Sequence, residues 1–304
     1  MLDAKHKSSF CVGMNKLPIE KRTQILQMLC EGSSMRAISR VVDVSINTVT
    51  KALIDAGNAC AKFHDENVRG VNAKHVQCDE IWSFCYAKAK NVPSAKAAPA
   101  GAGDVWTWTA LDRESKLIVS YLIGGRDAGY ALEFMEDLKS RLATRVQLTT
   151  DGHKPYLTAV ESAFGTEVDY AVLVKHYGVE PATGPVRYSP APFTGAHKEA
   201  VCGAPAVGSI STSHVERSNL SMRMHMRRFT RLTNAHSKKF ENHCHMVALY
   251  TLWYNFARIN SAVRMAPAMA AGLSSRLWDM TDIVKLIDDA APETAKRGPY
   301  KKHN

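Results

Sequence analysis

The stretch Gln77-Cys78-Asp79-Glu80-Ile81-Trp82-Ser83-Phe84 decides how the rest of the chain reads. It lies in a run from His75 to Ala87 rich in β-favouring residues, with Trp82, Phe84 and Tyr86 alternating, and two adjacent carboxylates interrupt that run. Successive side chains of a strand point to opposite faces, so one of Asp79 and Glu80 must face a core or a site. A carboxylate placed there needs a partner or a metal. The strand alone leaves open which of the two it is.

Downstream, Val105 to Asp112 and Leu117 to Gly124 read as two more strands, separated by the turn-like Arg113-Glu114-Ser115. Ala128 to Leu142 reads as an amphipathic helix with Leu132, Met135 and Leu138 on one face. Val146 to Thr150 is a short strand, Pro155 to Phe164 a helix, and Val168 to Val174 another strand. The expected class is therefore α/β. Three strands, a helix, a strand, a helix and a strand is the order of an RNase-H-like fold, although other α/β proteins share it. Residues 179–211, rich in Pro, Gly, Ala and Ser, read as a long, poorly packed connection. Two long helical patterns follow, at about Thr212 to Arg231 and Lys238 to Ile259, and a basic tail closes the chain from Lys296.

Upstream, Leu17 to Gly57 reads as helical. A first helix ends at Glu31-Gly32, Ser33 or Ser34 caps a second with Met35, Ile38 and Val41, and Ser45 caps a third with Val49, Leu53 and Ile54. A tight turn at Asp43-Val44-Ser45 makes this a helix-turn-helix pattern, which would place Ser45, Asn47, Thr48, Thr50 and Lys51 in a DNA major groove. An ordinary three-helix bundle has the same spacing.

Three carboxylates stand where two-metal phosphoryl transfer would need them. Asp79 is inside the first strand, Asp151 follows the strand ending Leu148-Thr149-Thr150, and Glu216 lies in the first turns of a helix, in Thr212-Ser213-His214-Val215-Glu216. Cutting a phosphodiester calls for a metal-activated water and a second ion, about 3.5–4 Å away, to stabilise the leaving oxygen. Hard cations take oxygen ligands, and carboxylates also balance their charge. Each residue also has a plainer role, as a turn former or a helix-dipole partner. After Glu216 come Arg217, Arg223, Arg227, Arg228, Arg231, Lys238 and Lys239, with no acidic residue from 217 to 239. On a continuous helix Asn219, Arg223 and Arg227 would share a face with Glu216, a ridge suited to phosphates beside the metals. A solvated basic face would look the same. His153 and His214 flank the carboxylates and could contact phosphate, shuttle a proton or make structural hydrogen bonds.

The bulk properties fit. The chain has 304 residues, 45% of them hydrophobic, enough to bury a sizeable core, and a net charge of +10 that attracts polyanions. Its seven cysteines form no CxxC pair, which argues against zinc ribbons and secreted disulfide frameworks. No leader-like start and no run of about 20 apolar residues is present, so the expected location is cytoplasmic with no membrane partner.

Several of these motifs resemble the insertion-sequence-one family of bacterial transposases. They are Asp79-Glu80-Ile81-Trp82-Ser83-Phe84, Trp106-Thr107-Trp108-Thr109-Ala110-Leu111-Asp112, the Gly124-Gly125-Arg126 turn, and Thr150-Asp151-Gly152 with Tyr156 beyond it. His214-Val215-Glu216-Arg217-Ser218-Asn219 and the basic stretch Arg227-Arg228-Phe229-Thr230-Arg231-Leu232-Thr233 with Ser237-Lys238-Lys239 belong to the same likeness, which spans roughly residues 75 to 260. The resemblance implies an RNase-H-like DDE catalytic domain over 71–265, with 179–211 as an inserted loop. A helix-turn-helix DNA-binding region over 1–70 would precede it, and a C-terminal helical segment with a basic tail over 266–304 would follow. It favours Asp79 over Glu80 and implies a triad of Asp79, Asp151 and Glu216 holding two Mg2+ (or Mn2+) ions. Double-stranded DNA, as element ends and as target, would be the partner, bound by Ser45, Asn47, Thr48, Lys51, Arg217, Asn219, Arg223, Arg227, Arg228, Arg231 and Lys238. Joining two ends implies a homodimer or higher oligomer on DNA, in a bacterial, nucleoid-associated setting. The N-terminal zinc finger frequent in that family has no cysteine pairing here. Alternatives are a transposase-derived regulator without catalysis and a structure-specific nuclease on the same fold. A small-molecule α/β enzyme is a weaker one, since Gly124-Gly125 lacks the spacing of a nucleotide loop.

Overall fold

A computed structural model describes residues 16–178, 191–230 and 234–291. Three helices come first: α1 (Ile19–Cys30), α2 (Met35–Val42) and α3 (Ile46–Asn67). The second and third begin where a hydroxyl can take an otherwise orphaned N–H. Ser34 Oγ accepts from the Ala37 amide and Ser45 Oγ from the Thr48 amide, each at 3.1 Å. Asp43 turns the chain between them in the left-handed region, at φ 54°.

α3 continues past Gly57 to Asn67. The glycine marks the closest approach to a later helix, α7 (Phe240–Leu252). A β-carbon at Gly57 would lie 2.3 Å from that of His245, so only hydrogen fits between the two backbones. The far end of α3 is anchored on the sheet. The His64 ring lies 3.3 Å from the Ile118 carbonyl oxygen, and Arg141 donates to the carbonyls of His64 and Val68 and to Asp65, Asp137 receiving its remaining bonds.

The sheet has six strands: β1 (His75–Cys85), β2 (Gly103–Asp112), β3 (Ile118–Gly124), β4 (Val146–Thr150), β5 (Val168–Tyr177) and β6 (Phe193–Cys202). Their order is β3-β2-β1-β4-β5-β6. β2 and β3 run antiparallel to their neighbours, β1, β4 and β5 are mutually parallel, and β6 returns antiparallel. Between them lie α4 (Ala128–Arg141) and α5 (Pro155–Phe164), so the element order through β5 is the one read from the sequence. The chain is thus mixed α/β.

The 179–211 stretch is not all loop. Residues 179–190 lie outside the described residues, but Phe193–Cys202 forms the edge strand β6, paired to β5 from Tyr170 to Tyr177. Composition concealed it because β6 is exposed along nearly its whole length and needs no apolar alternation. Beyond it α6 (Ser213–His225) is shorter than the expected helix to Arg231. It stops because Met226, fully buried, turns to extended backbone. α7 likewise ends at Leu252 and passes into a π turn over Trp253–Ala257. α8 (Pro267–Ala270) and α9 (Met280–Asp289) finish the described chain, and α9 packs against α1 and α3, with Arg22 paired to Asp288. One apolar cluster runs from Ile25 and Leu53 through Val76 and Trp108 to Val247 and Ile283. Among the described residues no helix is long and apolar enough to cross a membrane.

Candidate metal centre and nucleic-acid interface

The site begins where two central strands part. β1 and β4 pair only from His75–Gln77 to Gln147–Thr149. Asp79 and Asp151 each stand two residues beyond the last pair, Gln77 and Thr149, at matching positions on the two splayed ends. The carboxyl ends of parallel strands are where open α/β sheets form a crevice. β1 meanwhile keeps its ladder with β2, where Asp79 is opposite Thr109, so the Asp79 backbone is held while its side chain opens to the crevice.

The third carboxylate is carried over by α6. That helix has no side-chain cap of its own at Thr212. Buried Gln77 serves instead: its Oε1 accepts from the backbone N–H of His214 at 2.9 Å and of Val215 at 3.1 Å. One open pocket is lined by Asp79, Asp151 and Glu216 together with Arg126, Lys154, Lys175 and Thr212.

Charges in this pocket are crowded. One oxygen each from Asp79, Glu80 and Asp151 lies within 4.8 Å of the others. Burial, then Asp151 and Glu216, push the Asp79 carboxyl up to about 6, opposed by the Asn219 amide, which donates to it at 2.9 Å. Burial and Asp151 push Glu80 up to about 7, while Arg126 favours its charged form. Arg126 forks onto Glu80 Oε2 at 3.0 and 3.1 Å, comes within 3.8 Å of Asp151, and lies over the Trp106 ring. Its loop is fixed: Trp108 Nε1 donates to the Gly125 carbonyl, and a β-carbon at Gly124 would lie 2.0 Å from the Tyr130 ring. Glu216 accepts from Thr212 Oγ1 at 2.5 Å and is paired with Lys175.

These residues fit a divalent cation. The donors are hard oxygens crowded together, and Glu80 Oε1 and Asn219 Oδ1 are buried with no hydrogen-bond partner among the described residues. The close group contains both Asp79 and Glu80, so geometry leaves Glu80 beside the site as well as Asp79 in it. His153 has its amide on Asp151 Oδ1 at 3.0 Å, and burial and Arg126 push its imidazole below the usual range. His214 is turned toward Lys116, at 3.3 Å.

The residues expected on DNA divide. Asn47 is exposed on α3, whereas the Ser45 and Thr48 hydroxyls bond each other at 2.9 Å and exposed Lys51 pairs with Asp55 at 2.7 Å. Arg217, Arg227 and Lys238 are exposed, and Arg223 is half-buried. Arg227 sits past the break at Met226, off the helical face it was expected to share. Two residues are turned inward. Asn219 is 5% exposed with its amide on Asp79, and Arg228 packs inside against Met35 and Ser237, its guanidinium pushed down to about 10 by burial. Arg231 lies outside the described residues. Gln77, Lys154, Lys175 and Thr212 were not singled out from sequence. For Lys175 the available signal was a charge ending the apolar run Val172-Leu173-Val174.

No protein-family model matches the chain, and no curated protein is similar to it. Solved structures similar in part include two transposase complexes. One is the Mos1 transposase paired-end complex with left transposon end, at 15% identity over 49% of this chain and 59% of that one, with a TM-score of 0.21. The other is the piggyBac transposase synaptic complex with hairpin DNA, at 10% identity over 73% of this chain and 55% of that one, with a TM-score of 0.29. The chain thus spans less than two thirds of either.

Proposed function

We propose that this chain is a DNA transposase that binds the ends of an insertion element and catalyses metal-dependent cleavage and strand transfer. The observation that carries the reading is the convergence of Asp79 and Asp151, at matching positions on splayed parallel strands, with Glu216 brought over by α6 into the same cation-rimmed pocket. A sheet with parallel β1, β4 and β5 and antiparallel β2 and β3 supports an RNase-H-like catalytic domain over 71–265. The motifs quoted above support the insertion-sequence-one family in a bacterial cytoplasm. Residues 1–70 would read DNA through the exposed start of α3, braced by α9; the basic tail from Lys296 lies outside the described residues.

Asp79, Asp151 and Glu216 would hold two Mg2+ or Mn2+ ions. Such ions activate the attacking oxygen, water first and later a 3′-hydroxyl, and stabilise the leaving one. The chain's own residues do the rest. Asn219 orients Asp79 through its amide, leaving the other carboxylate oxygen for an ion. Arg126 fixes Glu80 and keeps a positive charge beside Asp151. Lys154 at the pocket and exposed Arg217, next to Glu216 on α6, would hold backbone phosphates. Two active sites, hence a dimer, would join two ends.

The test is a nicking and strand-transfer assay on labelled element-end DNA with Mg2+, Mn2+ or EDTA. Metal-dependent joined product that Asp151→Ala removes is the expected result. Nicks without joining would favour a structure-specific nuclease, and binding without either product a regulator.

A further inference from the structure

Glu216 enters the pocket already neutralised. Its carboxylate is paired with the Lys175 ammonium and bonded by the Thr212 hydroxyl, and it is not one of the three carboxylates whose oxygens crowd within 4.8 Å. Lys175 stands on β5 beyond the last β4 pairing at Thr150–Val172, on the rim of the crevice. Its backbone is held on the other side by β6, opposite Ala196. The strand position is therefore fixed, and only the long side chain is free to swing. The pocket is also lined by Lys154 and by Arg126, which is committed to Glu80. Among the described residues, Lys175 is the cation paired with the carboxylate that a second ion would need.

We propose that Lys175 is an internal counter-ion, seated on Glu216 until a divalent ion displaces it, so that metal loading and release of Lys175 are one exchange. This rests on reading Asp79, Asp151 and Glu216 as metal ligands. The exchange adds one positive charge at the carboxylate: a doubly charged ion replaces a singly charged ammonium, and the ammonium swings away from Glu216. A lysine that acted on the metal only through space would tighten binding when removed whether or not Glu216 is charged. A counter-ion that competes with the metal must raise affinity when removed.

The experiment is calorimetric titration of Mn2+ into the full, EDTA-stripped chain. It compares wild type, Lys175→Met, Lys175→Arg, Glu216→Gln, Lys175→Met with Glu216→Gln, and Asp151→Asn, each checked for unchanged melting. Lys175→Met should tighten binding roughly three- to tenfold, the scale of a partly exposed ion pair. Lys175→Arg should stay near wild type, and the gain should vanish in the Glu216→Gln background. Binding that depends on Asp151 but does not tighten in Lys175→Met overturns the exchange and leaves the metal site standing. Binding that Asp151→Asn leaves unaltered removes the metal site itself, and the exchange with it.

Discussion

The side-chain oxygen of Gln77 on β1 accepts a hydrogen bond from the backbone N–H of His214, 2.9 Å away at the start of α6. It takes a second from Val215. The strand that carries Asp79 therefore holds the helix that carries Glu216, two residues from each carboxylate. Gln77→Leu keeps the bulk but orphans two buried amides, at about 1–3 kcal/mol of stability. Urea unfolding should show that loss, and metal-dependent nicking should fall more than the fraction unfolded accounts for. Activity that merely tracks folding would make Gln77 a structural cap alone.

Asp79 sets the second expectation. Its carboxyl is raised to about 6 by burial and by its acidic neighbours. The folded state holds that proton more tightly than the unfolded chain. Its favourable contribution is therefore complete below the unfolded value near 4 and is lost as pH rises through about 6. In EDTA at pH 8, Asp79→Asn should thus unfold later than wild type, by about 1–2 kcal/mol, and the advantage should fade on acidification. The same substitution should abolish nicking. A destabilised Asp79→Asn in EDTA would contradict the electrostatic account of the pocket.

Arg126 and Glu80 make a sharper pair. The Glu80 side chain is almost wholly buried, and Arg126 is the cation on it. At pH 8, Arg126→Met should cost about 1–2 kcal/mol, because Glu80 loses its cation and takes up a proton, whereas Glu80→Met with Arg126→Met should recover most of that loss. A double-mutant cycle by denaturant unfolding measures it. Additive losses would mean that the pair is not coupled.

His64 governs the acid side. Burial and Arg141 push its imidazole down to about 4, so it is neutral in the fold but protonates near 6.5 when unfolded. The stability it confers is present above 6.5 and drains as pH falls toward 4, by about 2–3 kcal/mol. Between pH 7 and pH 4, His64→Gln should lose less stability than wild type. Parallel pH profiles for the two would refute the burial of a neutral imidazole at the foot of α3.

Gly57 is the packing test. Alanine is the better helix former, yet its β-carbon would meet His245 at 2.3 Å. Gly57→Ala should lower stability by about 1–3 kcal/mol, as overpacking does, and thermal melting is sufficient to see it. A gain in melting temperature would show that the two helices have room to part.

Much of this was legible because its signals are local. Alternation marked β1, serine caps marked α2 and α3, and Asp151 ended a short strand where a reader would place it. The losses are equally physical. The edge strand β6 buries little, so hydrophobic patterning had nothing to report. Met226 broke α6 through its burial in a core formed from distant segments, which turned Arg227 off the helix and Arg228 inward. Asn219 looked like one more polar residue on a basic ridge. Only the fold reveals that its amide reaches back 140 positions to Asp79. Lys175 is the same case, a charge whose meaning lies wholly in the residue it faces.

The continuity of α3 has a consequence for length. From the serine-capped start to the anchor on β3 and α4 it is one uninterrupted helix of 22 residues, about 33 Å at 1.5 Å per residue. It behaves as a ruler: its exposed end is held at a set distance and a set rotation from the crevice. Adding one residue would lengthen it little but turn that end by about 100°, so its distance and its facing relative to the crevice change together, and only insertions near whole turns keep the facing.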